Sequence, residues 1–217
     1  MCAFRDVITE ESLPTPRSSG ESVIPARIVI GVTGHRRLNP TPLLADQVRS
    51  AVGRIAAMAA PLEGVLLISV LSPLAEGADR LVAKEVLARP GSILEVVLPL
   101  TKEDYARDFE SKESREEFEA FLSRASRVQV LPASATREES YEQVGRYVVE
   151  HCDVLVALWD GKPPAGRGGT AEIVQYARET GCPLVWIHTD DPQQVFFELE
   201  RFLIRDGSRC TKTKTQS

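Results

Sequence analysis

Asp153-Val-Leu-Val-Ala-Leu-Trp-Asp-Gly161 opens the stretch whose reading decides the fold. Lys162-Pro-Pro-Ala-Gly-Arg-Gly-Gly-Thr-Ala-Glu-Ile-Val174 continues it, and Pro183-Leu-Val-Trp-Ile187 closes it. The run 154–159 is short, continuous and apolar, which suits a strand buried on both faces of a parallel sheet. A Gly/Pro-rich loop follows. Gly168-Gly169-Thr170 then leads into Ala171, Val174 and Ala177, which have helical spacing. Strand, glycine loop and helix in this order have two readings. Glycine and threonine are ordinary helix caps. They also suit a phosphate cradle, in which free N–H groups and the positive helix end face an anion. The loop is neither a Walker A sequence nor a G-x-G-x-x-G fingerprint.

Outward from this stretch, apolar runs alternate with helical patterns. Strands are predicted at 26–32, 65–71, 93–98, 128–131, 154–159 and 184–187. Helical faces run through Leu44, Val48, Val52, Ile55 and Ala59, introduced by Thr41-Pro42, and through Ala78, Leu81, Val82 and Val86. Further faces are Phe118, Phe121 and Leu122, then Tyr141, Val144 and Val148, and a last amphipathic helix marked by Val195, Leu199 and Phe202. Alternation of this kind predicts an α/β fold: a Rossmann-like, doubly wound, mostly parallel sheet of about six strands with helices on both faces. Residues 1–24 read as a flexible arm, 25–204 as one Rossmann-like domain and 205–217 as a flexible tail.

The chain of 217 residues is long enough for one large core. Its net charge of −5 argues against DNA binding, which needs a basic surface. Eight acids against four bases between Thr101 and Ala120 read as a solvated helix face. Cys2, Cys152, Cys182 and Cys210 show neither a C-x-x-C pair nor a metal spacing, so no metal site is expected. That usage, with no signal peptide or membrane span in the pattern, predicts a cytoplasmic protein with no membrane partner.

In doubly wound sheets, ligands bind beyond the carboxyl ends of strands where the strand order switches. Three unusual loops leave such ends: 33–37, 72–79 and 159–170. Their convergence on one edge favours the cradle over the cap. Gly168, Gly169 and Thr170 would hold phosphate, and Gly34 would admit a close ligand backbone contact. Arg36 or Arg37 would pair with phosphate oxygens. Thr33 and His35 belong to the same loop. Gly77 and Asp79 start a helix that would face ribose or phosphate, with Glu76 a weaker candidate. Asp160 would accept from ribose hydroxyls. Trp159 and Trp186 read as core, and His151 and His188 carry no assigned role.

These residues resemble a family. Val70-Leu-Ser-Pro-Leu-Ala-Glu-Gly-Ala-Asp79 looks like the Ser-Gly-Leu-Ala-Arg-Gly-Ile-Asp signature of DprA/SMF proteins. Gly168-Gly-Thr-Ala-Glu172 is similar to the Gly-Gly-x-Gly-Thr-x-x-Glu loop of LOG proteins, and Gly31-Val-Thr-Gly-His-Arg36 looks like the opening of stand-alone members. Together they point to the SMF/DprA–LOG superfamily, SLOG, over about residues 26–190. The resemblance implies a Rossmann-like nucleotide site serving either of two activities. One is a sensor or carrier of a nucleotide or an ADP-ribose- or NAD-derived signal. The alternative is a LOG-like phosphoribohydrolase that cleaves the N-glycosidic bond of nucleoside 5′-monophosphates. It implies a small-molecule nucleotide as ligand, with no further cofactor. A chain of this size would act as a homo-oligomer and on an effector protein in trans. The chain departs from the LOG pattern at one place. Ile173 stands where LOG proteins carry the catalytic carboxylate, and Glu172, the only catalytic candidate, is one residue earlier. One residue is about 100° around a helix. The nearest match to the LOG arginine is Arg137.

Overall fold

The computed structural model describes residues 26–61, 64–163 and 168–199. The arm and tail of the sequence reading, with Cys2, Cys210 and Phe202, lie outside the described residues. Among the described residues seven strands form one sheet: β1 (Ala26–Gly34), β2 (Leu66–Ser72), β3 (Ile93–Leu98), β4 (Arg127–Val130), β5 (Val154–Trp159), β6 (Leu184–His188) and β7 (Val195–Glu198). Six helices connect them: α1 (Pro42–Ala59), α2 (Ala78–Leu87), α3 (Lys102–Ala106), α4 (Lys112–Arg124), α5 (Arg137–His151) and α6 (Thr170–Thr180). The strand order is β4-β3-β2-β1-β5-β6-β7. Every pair is parallel except β6–β7. The fold is therefore α/β and Rossmann-like.

The seventh strand corrects the sequence reading. Val195 and Leu199 predicted a final amphipathic helix. The chain instead turns back after β6 and adds Val195–Glu198 as an antiparallel edge strand. The spacing 195, 199 fits a helix, but Val195-Phe-Phe197 is a β-branched and aromatic run, and tertiary pairing with β6 decides the matter. Phe196 stacks on Trp186 at 4.6 Å, and Arg54 lies 3.7 Å over the Phe197 ring, so alternate residues pack on opposite faces. The acidic segment divides as well. Ser111 accepts from the Ser114 N–H and starts a new helix, α4, after the short α3.

The β5 run shows why both faces are apolar. Val154, Val156 and Leu158 join the core beneath α1, α2 and α4, whereas Leu155 and Ala157 join the core beneath α5 and α6. All five are fully buried. The start of α1 agrees with the sequence, Thr41 capping it ahead of Pro42, and α5 starts with a capping box that Thr136 forms with Glu139.

Strand order reverses between β1 and β5, because the chain moves outward to β4 and then returns to the far side of β1. The crevice that opens there is held tight by backbone. The His35 N–H donates to the Leu158 carbonyl at 3.1 Å, and the Ala78 N–H donates to the His35 carbonyl at 3.1 Å. Gly34 makes this approach possible: a Cβ there would lie 2.3 Å from Ala78 Cβ and 2.7 Å from the Leu158 carbonyl oxygen. Gly34→Ala is expected to destabilise the fold by about 1–3 kcal/mol through overpacking. Gly53→Ala, in the middle of α1 with its nearest neighbour 3.8 Å away, should stabilise by about 0.5–1 kcal/mol. Urea unfolding of both variants checks the contrast, and equal effects would refute it.

Candidate functional site

At the switch point the carboxyl ends of β1 and β5 and the amino ends of α2 and α6 surround a cavity of about 490 Å³. Of the ten ligand-binding residues expected from sequence, Thr33, Gly34, His35, Arg36, Asp79, Asp160, Gly168, Gly169 and Thr170 line it. Gly77, the tenth, does not, nor does the catalytic candidate Glu172.

The glycines have reasons the sequence did not reveal. Gly77 sits at φ +77°, and a Cβ there would lie 2.3 Å from the Arg36 carbonyl oxygen. Gly168 sits at φ +74°, where a Cβ would come within 2.8 Å of the Glu142 N. Both conformations favour glycine, and both bring two chain segments together. Gly77, Gly168 and the Gly34 described above thus close loop upon loop and fix the cavity wall. Gly169 differs. Its φ is −78°, and it is the N-cap of α6 without any side-chain cap. The N–H groups of Gly169, Thr170 and Ala171 make no hydrogen bond among the described residues. All three residues line the cavity, so the positive end of an 11-residue helix opens into it.

Four charged side chains share this space. Arg36 lies 5.7 Å over the Tyr141 ring and 6.0 Å over the Tyr105 ring. Its nearest carboxylate, Asp108, is 4.0 Å away. Asp108 is already occupied: Arg137 donates to it at 2.8 and 3.1 Å, and the Tyr141 hydroxyl donates to its other oxygen. Arg36 is therefore a weakly compensated cation facing the cavity. Arg137, the match to the LOG arginine, is spent on Asp108 and does not line the cavity.

Asp160 is held as an anion. Desolvation opposes its charge, but the Lys162 ammonium at 2.6 Å, the Lys162 N–H at 3.2 Å and His35 outweigh it. Its carboxyl is held well below the usual carboxylate range. His35 Nε2 stands 3.0 Å from Asp160 Oδ1 and 3.2 Å from the Asp160 N, so the ring is fixed against the end of β5.

Asp79 is the opposite case. It is buried, 4% exposed, and forms no ion pair among the described residues. Its Oδ2 accepts from the Ala75 N–H at 3.0 Å. Arg80, the next residue, directs its donors to Leu74, Ser114 and Glu117. Burial pushes Asp79 up to about 7, although the Ala75 N–H and the cations Arg36 and Arg80 pull the other way. Tyr105 beside it is buried too, and burial pushes its phenol above the ordinary range.

Glu172 turns away from the chemistry assigned to it. Its Oε2 accepts from the Gly168 N–H at 2.7 Å, and Arg146 lies 3.9 Å from its other oxygen. Ile173, one residue on, lines the cavity as an apolar wall. The one-residue offset read in the sequence thus has a direct consequence in space.

Sequence reasoning missed Tyr105, Tyr141, Gly145 and Lys162, which also line the cavity. Tyr141 carried the signal of a buried helix face, and nothing in its spacing distinguished a cavity wall from core. Gly145 is bare because Ile173 packs over it, with Cδ1 2.5 Å from where a Cβ would be. Trp159 was assigned to the core. It packs on Trp186 at 5.0 Å and still reaches the cavity wall. Among the described residues no group of three or more His, Cys, Asp or Glu is placed to hold a metal, and no helix is long and apolar enough to cross a membrane. Neither the protein-family models nor the curated proteins contain a match to this chain.

The raised Asp79 makes a prediction with a definite sign. The folded state keeps a proton that the unfolded chain releases near pH 4. Stability from this group is therefore lost as pH rises from about 4 to 7, by at most about 1.4 kcal/mol per pH unit. Asp79→Asn removes the titrating group. Urea midpoints of the variant should gain on those of the wild type as pH rises through this window. Parallel pH curves would show that Asp79 ionises normally.

Proposed function

We propose that the protein binds a nucleotide or nucleotide-derived signal in the β1–β5 cavity and acts as a sensor or carrier. One observation carries the reading. The uncapped amino end of α6, with three N–H groups lacking partners among the described residues, opens into a cavity that also holds Arg36. An anion of phosphate size would accept from Gly169, Thr170 and Ala171 and would give Arg36 the partner that Asp108 supplies poorly. Asp160 and His35, at the other side of the crevice, offer an acceptor and a ring to ribose hydroxyls. The resemblance to SLOG proteins supports the same reading, and the strand order puts the crevice where that resemblance expects a ligand. A homo-oligomer and an effector in trans belong to this proposal. Native mass spectrometry of the purified chain tests the first.

Calorimetry with AMP, ADP-ribose and NAD tests binding. At least one should bind. Arg36→Ala should weaken it by about 1.5–3 kcal/mol, the worth of a charged hydrogen bond. Gly169→Val should abolish most of it by covering the N–H groups. It should cost the fold only about 1 kcal/mol, because φ at this position suits any residue. Failure of every nucleotide, cyclic ones included, would sink the proposal.

The phosphoribohydrolase alternative is separable. A hydrolytic carboxylate must reach the sugar, and Glu172 is bonded to the Gly168 N–H outside the cavity wall. Misplacement of about 1 Å can cost about 10²-fold in rate. Incubation with AMP should release no adenine above background. Robust release, lost in Glu172→Gln, would replace the sensor reading with the hydrolase.

A further inference from the structure

We propose that Cys152 and Cys182 form a reversible intramolecular disulfide, a modification site at the end of the sheet opposite the cavity. Cys152 caps the carboxyl end of α5 two residues before β5, and Cys182 follows α6 two residues before β6. Their sulfurs are 3.7 Å apart. β5 and β6 are adjacent parallel strands, and adjacent strands run roughly 4.8 Å apart. A disulfide spans Cα separations of about 4.4–6.8 Å, a range that holds neighbouring positions on adjacent strands, and the 3.7 Å between the sulfurs shows that the two side chains already meet. Shortening the sulfur separation to about 2.05 Å needs side-chain rotation. Space for the sulfur is provided from the neighbouring strand. Gly31 on β1 is bare where a Cβ would lie 2.7 Å from Cys152 Sγ.

The chemistry needs a two-electron oxidant, and hydrogen peroxide is sufficient. One thiol, as thiolate, attacks a peroxide oxygen; the O–O bond breaks, and a sulfenic acid and water result. The second thiol attacks that sulfur, the S–O bond breaks, the S–S bond forms and a second water leaves. In sum, two thiols and one peroxide give one disulfide and two waters. Sulfur is oxidised and oxygen reduced, and a dithiol reductant reverses the step. The hydrogen bond to Cys182 and burial push the Cys152 thiol up, so the first attack is slow. The adjacent thiol then captures the sulfenic acid before further oxidation. The bond would bracket β5, the glycine loop and α6, the unit that carries the cradle, and would tie α6 to α5. Both helices wall the cavity. The site does not depend on which ligand the cavity takes.

The test uses the full chain carrying Cys2→Ser and Cys210→Ser, so that only this pair remains. After hydrogen peroxide, thiol titration under denaturing conditions and intact mass are measured. Both thiols should disappear together from a monomer that has lost two hydrogens. Dithiothreitol should restore them, and the oxidised form should melt at higher temperature, since closing the loop restricts the unfolded chain. With Cys182→Ser added, Cys152 should gain oxygen in place of a crosslink. Three results would overturn the proposal: thiols that survive peroxide, oxygen addition or intermolecular dimers in place of the internal bond, or a lower melting temperature on oxidation.

Discussion

Everything at the candidate site depends on one backbone junction, the His35 N–H to Leu158 carbonyl bond that continues the β1–β5 pairing one residue past the end of β1. It sets β1 and β5 side by side at the point where strand order reverses. The His35 carbonyl then takes the first N–H of α2, so strand, loop and helix are joined within a single residue. This junction is buried among backbone groups, which leaves no room for side chains. Gly34 and Gly77 satisfy that constraint, and their role is structural before it is functional.

The junction also distributes charge. Asp79 enters at the second position of α2 and is buried by the loops closing over it. Asp160 leaves β5 on the opposite side and meets Lys162 and His35. Two carboxyls in one cavity thus have opposite proton affinities, because burial prevails at one and the pairing with Lys162 and His35 at the other. An anionic ligand entering between them would meet a carboxyl that keeps its proton up to about pH 7, a weakly compensated arginine and a helix amino end. Arg36, Lys162 and the amino end of α6 put positive charge around the cavity although the whole chain is acidic. Net charge describes the surface at large, whereas a binding site is decided by the few groups within it.

Local pattern carried most of the fold. The continuous apolar run of β5, the Thr41-Pro42 start of α1 and the strand–helix alternation follow from residue chemistry acting over a few positions, and each is found where those residues predict it. The exception is instructive. Val195 and Leu199 have helical spacing, and so short a pattern cannot outweigh the pairing offered by the exposed edge of β6. A strand at an edge is chosen by its neighbour, which here lies eight residues away in sequence at the nearest pair, Ile187 with Val195, and fourteen at the farthest, Leu184 with Glu198.

The sequence by itself determined the α/β class, the three loops that meet at one sheet edge, and nine of the residues that line the cavity. These are short-range properties: a glycine before a helix, a strand that ends, a carboxylate in a first turn. Only the tertiary structure decided which of those residues hold the loops together and which face open space. Gly168 and Gly169 are neighbours of the same type. One fits against α5 and the other has no partner for its N–H among the described residues, and the difference comes from Glu142, distant in sequence. Glu172 and Ile173 exchange roles for the same reason. Which face of α6 meets the cavity is set by its packing on β5 and α5, a long-range constraint that no local motif encodes.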